Sequence, residues 1–153
     1  MKIEIVQAVS KHAHFLAPFL RQQDKNEVLA SGGRDPLEAL LRSVELSDPD
    51  MCWTALIDGY PEVMWGVAGN PDNPSVGCVW LLSSEEMYKH KRRFLLESAS
   101  YVSKMQSRYD TLFNYVHAVN TTSQKWLLSL GFTAHERVEE YGVAKEPFIL
   151  FAR

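Results

Sequence analysis

Between Thr111 and Phe132 the chain changes its hydrophobic period with no linker in between, and few folds accommodate that change. Leu112, Phe113, Tyr115, Val116 and Ala118 form a run with the length and the aromatic and β-branched content of a buried strand, ending at Asn120. Directly behind Thr121, Thr122 and Ser123, residues Trp126, Leu127 and Leu130 recur at helical spacing, and Gly131 stands where a left-handed C-cap would stop a helix. Phe132 then opens another strand, because a glycine followed by an aromatic lets the chain reverse tightly against the sheet it has just left. The stretch reads strand, short helix, strand, with an asparagine at the first junction.

The rest of the chain supplies the partners such a unit needs. Over residues 2–9, Ile3 and Ile5 alternate with polar neighbours as in a first strand. Phe15, Leu16, Phe19 and Leu20 give an apolar helical face, but Pro18 inside it lacks a backbone donor and predicts a kink or two short helices. The next helix has the clearest start: Asp35 as N-cap, Pro36 at the first helical position, Glu38 three residues after the cap, and a stripe of Leu37, Leu40, Leu41 and Val44 that stops before Pro49. Residues 52–57 and 62–68 read as a hairpin about Asp58-Gly59. Residues 69–77, dense in turn formers, read as a loop at a hairpin tip. The wholly apolar run 78–82 should be a central strand covered on both faces. A long helix is expected over 89–109, with Leu95, Ala99, Val102 and Met105 as its buried stripe, and a last pair of strands over 132–140 and 147–152. The order β-α-α-β-β-β-α-β-α-β-β, with no repeat and no dividing linker, predicts one mixed α/β domain over residues 1–153.

Composition narrows the function classes. With 46% hydrophobic residues the chain can build one sizeable core, and a net charge of −3 gives no global attraction for nucleic acid or an anionic membrane, so any basic site must be local. No run approaches the length of a membrane span, and no apolar leader follows a basic start, which predicts a soluble, intracellular protein that is not secreted. Cys52 and Cys78 lie far apart in apolar runs and read as buried free thiols. His12 and His14 have no third ligand in view, so no metal site is expected.

The spacing from Asn120 to Gly131-Phe132, together with the element order around it, resembles the GNAT superfamily of acyl-CoA-dependent N-acetyltransferases. The C-terminal half, including TLFNYVHAVN, is similar more narrowly to small GNAT-like proteins of short-tailed bacteriophages, some of them internal virion proteins. The resemblance implies a mainly antiparallel twisted sheet of about seven strands with helices on both faces. It also implies that the strands over 78–82 and 111–118 splay apart and that acetyl-CoA lies in the V between them. The pantetheine arm would then run along Trp80, Leu81 and Leu82, Asn120 would touch the cofactor, and the phosphates would lie at the loop after the fourth strand.

Several residues depart from that pattern. The phosphate loop of the family carries glycines so that backbone N–H groups can approach closely, whereas here Glu85, Glu86, Met87, Tyr88, Lys89, His90, Lys91, Arg92 and Arg93 contain none. Lys89, Lys91, Arg92 and Arg93 would hold an anion through side chains instead; equally, they read as a solvated helix start. Asn120 reads as well as a simple N-cap. The family's tyrosine acid falls on Leu127, which has no proton to give, and neither Tyr88 nor Tyr115 matches its place. Glu85, Glu86 and His117 are the acids and bases nearest the two strands, though His117 alternates with Val116 and Ala118 like a packed strand residue. Two functions follow. The resemblance implies an N-acetyltransferase relative that passes an acyl group from acetyl-CoA to an amine acceptor. The departures point to a non-catalytic protein that meets phage virion or host proteins, in the host cytoplasm or packaged in the virion.

Overall fold

The computed structural model describes residues Met1–Arg153. Seven strands form one sheet in the order β1 (Ile3–Gln7), β2 (Cys52–Ile57), β3 (Tyr60–Asn70), β4 (Asn73–Ser83), β5 (Thr111–His117), β7 (Glu146–Ala152) and β6 (Thr133–Tyr141). Every neighbouring pair is antiparallel except β4 and β5. Helices α1 (Ser10–Leu16), α2 (Gln22–Gly32) and α3 (Pro36–Leu46) precede the first hairpin, α4 (Glu85–Tyr88) and α5 (Lys91–Gln106) connect β4 to β5, and α6 (Thr121–Ser129) connects β5 to β6.

The sheet is covered on both sides because its strands alternate between two apolar layers. Trp65, Val67, Val79, Leu112 and Val116 pack with Phe94, Val102 and Met105 of α5. Cys52, Met64 and Leu82 pack on the opposite face with Ala13, Leu16 and Leu40 of α1 and α3. The β2–β3 turn is tight because Asp58 and Gly59 both take positive φ, 49° and 88°. Asn120 caps α6 by accepting the Ser123 N–H at 3.4 Å, and Gly131 leaves the helix at φ 88°.

Two expectations need correction, and at Pro18 the second of the two expected outcomes, separate short helices, is the one found. Residues 69–77 are not a loop: β3 runs to Asn70, β4 starts at Asn73, and Gly69 pairs with Gly77 in the ladder. Those glycines leave room for the Tyr109 side chain: a Cβ at Gly69 would meet its hydroxyl, and one at Gly77 its ring, at 2.8 Å. The buried stripe of α5 is Phe94, Ser98, Val102 and Met105, one residue round from the expected one at its start, and α5 begins at Lys91 after the short helix α4. Pro18 produces a full break: α1 ends at Leu16, a 3-10 turn covers Ala17–Phe19, and α2 starts afresh at Gln22. Leu16 and Leu20 are buried while Phe15 and Phe19 face solvent.

Candidate functional site

Strands β4 and β5 pair only through Val76, Gly77 and Cys78 with Thr111, Leu112 and Phe113. Beyond that point β4 stays with β3 as far as Ser83, and β5 stays with β7 as far as His117, so the sheet opens into a V. The V is filled from the α5–α6 side. Trp65 and Trp126 meet Phe94 edge-on with ring centroids 5.1 Å away, and Trp65 meets Tyr101 at 5.4 Å. What stays open is a cavity of about 80 Å³ with mostly apolar walls, among them Trp80, Leu81, Val116 and Leu127, and with Glu27, Ser98, Asn114 and Ser123 as polar members. The indole Nε1 atoms of Trp65 and Trp126 are buried without a hydrogen-bond partner.

Beneath the cavity lies a polar floor carried by α2. Asp24 accepts from Arg21 Nη1 at 3.2 Å and from the Ser83 N–H at 3.0 Å. Glu27 Oε1 accepts from the His117 N–H at 2.8 Å, and Asn120 Nδ2 donates to both acids, at 3.4 Å to Asp24 and 3.3 Å to Glu27. Burial, reinforced by the neighbouring Asp24 charge, pushes the Glu27 carboxyl up to about 7. Burial raises Asp24 as well, against the pull of Arg21. The turn after β6 holds this helix in place: Val143 and Ala144 donate N–H bonds to Ser31 and Ala30, and Gly142, at φ 73°, sits where a Cβ would lie 2.7 Å from the Ala30 carbonyl oxygen.

The residues expected at the site therefore separate. Trp80 and Leu81 line the cavity, and the Trp80 indole donates to Ser47 Oγ at 2.7 Å. Leu82 is buried in the opposite layer against α1 and α3. Asn120, fully buried, is occupied with the α6 cap and the two acids, so its side chain serves the floor and does not line the cavity. Lys89, Lys91, Arg92 and Arg93 are exposed outside. Lys89 pairs with Glu86 at 3.1 Å, Lys91 lies 4.6 Å over the Tyr88 ring, and Arg92 and Arg93 make no ion pair. His117 is a packed strand residue, stacked on Phe148 at 4.9 Å and bonded through Nε2 to Glu146 at 3.2 Å. Glu27 and Asp24 were missed by sequence reasoning. Their only signal was a spacing of three on one helix, and α2 lacks the strong apolar stripe that would have shown which way they face.

These residues fit an acyl-CoA poorly. A cavity of about 80 Å³ is below the ~300–1,000 Å³ of ordinary ligand pockets. The start of α5 presents long side chains where a backbone cradle would be needed, and Glu85 and Glu86 lie in its approach.

The element order, the parallel β4–β5 pair and the V beyond it define the fold of GNAT acetyltransferases. Solved structures agree along the whole chain. The ribosomal-protein-alanine N-acetyltransferase of Brucella melitensis superposes with a TM-score of 0.74 at 11% identity, over 98% of each chain. Ard1 from Thermoplasma volcanium gives 0.73 at 10% identity, over 99% of this chain and 96% of its own. A phosphinothricin acetyltransferase of Sinorhizobium meliloti, solved with AcCoA, gives 0.69 at 14%, over 100% and 88%. At these identities the likeness is one of fold. Sequence gives the family: residues 56–140 match "Bacteriophage T7, probable scaffold protein Gp13", and the probable scaffold protein gp13 of Escherichia phage T7 is 33% identical over 122 residues, 76% of this chain and 83% of that protein. The chain belongs to that family.

Proposed function

We propose that the chain works in virion assembly, through contacts with other phage proteins, on an acetyltransferase scaffold that no longer transfers an acyl group. The observation that carries this reading is the packed V, in which Trp65, Phe94 and Trp126 occupy the opening and leave only about 80 Å³. Kinship with a protein named as a probable scaffold supports the same direction. On this reading the protein acts in the infected host's cytoplasm and is carried into the particle as an internal virion protein. The test is a phage with an early stop in this reading frame, complemented from a plasmid. Loss of complete particles on a sucrose gradient, restored equally by the parent chain and by Glu27→Gln, is the expected result.

A second reading, acyl transfer from acetyl-CoA to an amine, is favoured by Glu27, whose carboxyl at about 7 has the proton affinity of a general base and reaches the cavity. It requires the cleft to open along Trp80 and Leu81 and the phosphates to settle on Lys89, Lys91, Arg92 and Arg93. Calorimetry separates the two. Acetyl-CoA binding near 1 µM, about 8 kcal/mol, with complementation abolished by Glu27→Gln, would establish the second reading and remove the first.

A further inference from the structure

On the other side of β4's end, outside the cavity, lies an open groove of about 590 Å³ between α1, the β2–β3 turn and the start of α4. One wall is aromatic. Phe15 lies 5.6 Å, centroid to centroid, from both Phe19 and Tyr60, and these three side chains are 39%, 58% and 58% exposed. Helical spacing puts the two phenylalanines there: Ala13, Leu16, Ala17 and Leu20 form the buried face of α1 and the turn after it, and Phe15 and Phe19, four apart, lie on the outer side. Three neighbouring rings so exposed form an apolar patch on the surface, whereas Phe94, Phe132, Phe148, Phe151, Trp53 and Trp65 are buried.

The other wall is acidic. Asp58, Glu62, Glu85 and Glu86 line the groove, and no lysine, arginine or histidine does. Glu86 pairs with Lys89 at 3.1 Å on the surface and lies 3.8 Å from His90, whereas Asp58 meets only the Lys2 backbone N–H and Glu62 only the Ser84 hydroxyl. Burial raises the Glu62 carboxyl, and the charge of Glu86 pushes it the same way, against the Ser84 hydrogen bond and the nearby His90. Aromatic faces and carboxylates attract the same guest: a cation with an apolar stem. Phosphate-bearing partners and anionic lipid would be repelled by this wall.

We propose that this groove docks a lysine or arginine side chain presented by a segment of a partner protein, its stem against Phe15, Phe19 and Tyr60 and its charge between Glu62 and Glu85. This names the chemistry of the partner and rests on the assembly reading, but its test uses purified protein alone, so either can fail without the other. The probe is a capped peptide with one arginine flanked by glycines, titrated by NMR of the backbone amides, beside the same peptide with citrulline, which keeps the shape and loses the charge. Saturable shifts centred on Tyr60, Glu62 and Glu85 are expected, with citrulline and the Glu62→Gln/Glu85→Gln variant each weakening binding about tenfold, about 1.4 kcal/mol. Tyr60→Ala should weaken it about fivefold, while raising NaCl from about 0.05 to about 0.5 M should weaken it further. Equal binding of citrulline, no saturable shift for either peptide, or shifts centred elsewhere would overturn the proposal. So would sedimentation as a dimer that Tyr60→Ala abolishes, since the occupant would then be a second copy of this chain.

Discussion

Two concavities adjoin the end of β4, and they distribute side chains in opposite ways. In the cleft between β4 and β5, large aromatics turn inward, fill the V and leave about 80 Å³. In the groove beside it, aromatics turn outward over about 590 Å³ and face unpaired carboxylates. The opening between β4 and β5 is part of the core here, and on the assembly reading contact with other molecules falls to the groove one layer away. Stability should reside in the cleft and interaction in the groove.

The largest contrast comes from truncating one aromatic in each place. Trp65→Ala removes a ring that is 4% exposed and should cost about 3–5 kcal/mol by urea denaturation, while Tyr60→Ala should move stability by less than ~0.5 kcal/mol. Trp126→Ala, at the rim of the V, sharpens the point further: if packing alone closes the cleft, this variant should show acetyl-CoA binding that the parent lacks in the same calorimeter. Similar losses for Trp65→Ala and Tyr60→Ala would break the comparison.

The floor of the cleft depends on α2 being held down from β6. Gly142→Ala forces a left-handed backbone onto a residue with a Cβ and sets that atom 2.7 Å from the Ala30 carbonyl oxygen and from the Ser31 backbone, which cannot swing aside as a side chain could. A loss of about 2–4 kcal/mol is expected, with amide exchange accelerating first at Ala30, Ser31 and His117.

Glu27 gives the cleft a pH signature the groove lacks. Its carboxyl lies at about 7 in the folded chain against a usual 4.5, so between those values the native state keeps a proton that the unfolded chain has released. Stability contributed by this group is therefore fully present below pH 4.5, is lost as pH rises through about 7, and is flat above. Glu27→Gln removes that slope, and the variant should exceed the parent by about 1–3 kcal/mol at pH 8 while matching it at pH 4, read from paired urea melts. Parallel curves for the two chains would show that Glu27 is not held in a low-dielectric floor.

How much of this could be read from the chain follows from what each residue advertises. The elements beside the V were legible because Asn120, Gly131 and Phe132 mark a strand, helix and strand by their own backbone needs and the apolar run before Ser83 marks a central strand, whereas the opening between them followed only from the family resemblance. Gly69 and Gly77 misled, since a glycine that makes room for a distant ring looks the same in sequence as one that makes a turn. The filling of the V was hidden for a related reason. Phe94 stands directly behind Arg92 and Arg93 and so reads as part of a surface run, yet it is fully buried between two indoles. The outward turn of Phe15 and Phe19 was hidden because four consecutive-looking apolar residues, Phe15, Leu16, Phe19 and Leu20, read as one face, while only the Ala13, Leu16, Ala17 and Leu20 side is buried.

The smallest expected effect concerns the cations at the start of α5. Lys91, Arg92 and Arg93 occupy the first turn of α5, where the helix dipole disfavours positive charge, and His90 offers no side-chain cap to offset it. Arg92→Gln with Arg93→Gln should raise stability by about 0.3–1 kcal/mol in thermal melts at low salt, a gain that screening should erase as NaCl increases. If the two arginines instead form an anion site, the same change should leave the melt unaltered and remove binding of an acidic partner, tested by titrating inorganic pyrophosphate. Neither arginine lines the acidic groove, so arginine-peptide binding there should rise by no more than about twofold in this variant, the modest gain expected from removing two distant, solvent-screened charges. A larger gain would mean that the basic helix start and the acidic groove act as one surface, which would redraw the comparison between cleft and groove as one between the inside and the outside of the same end of the sheet.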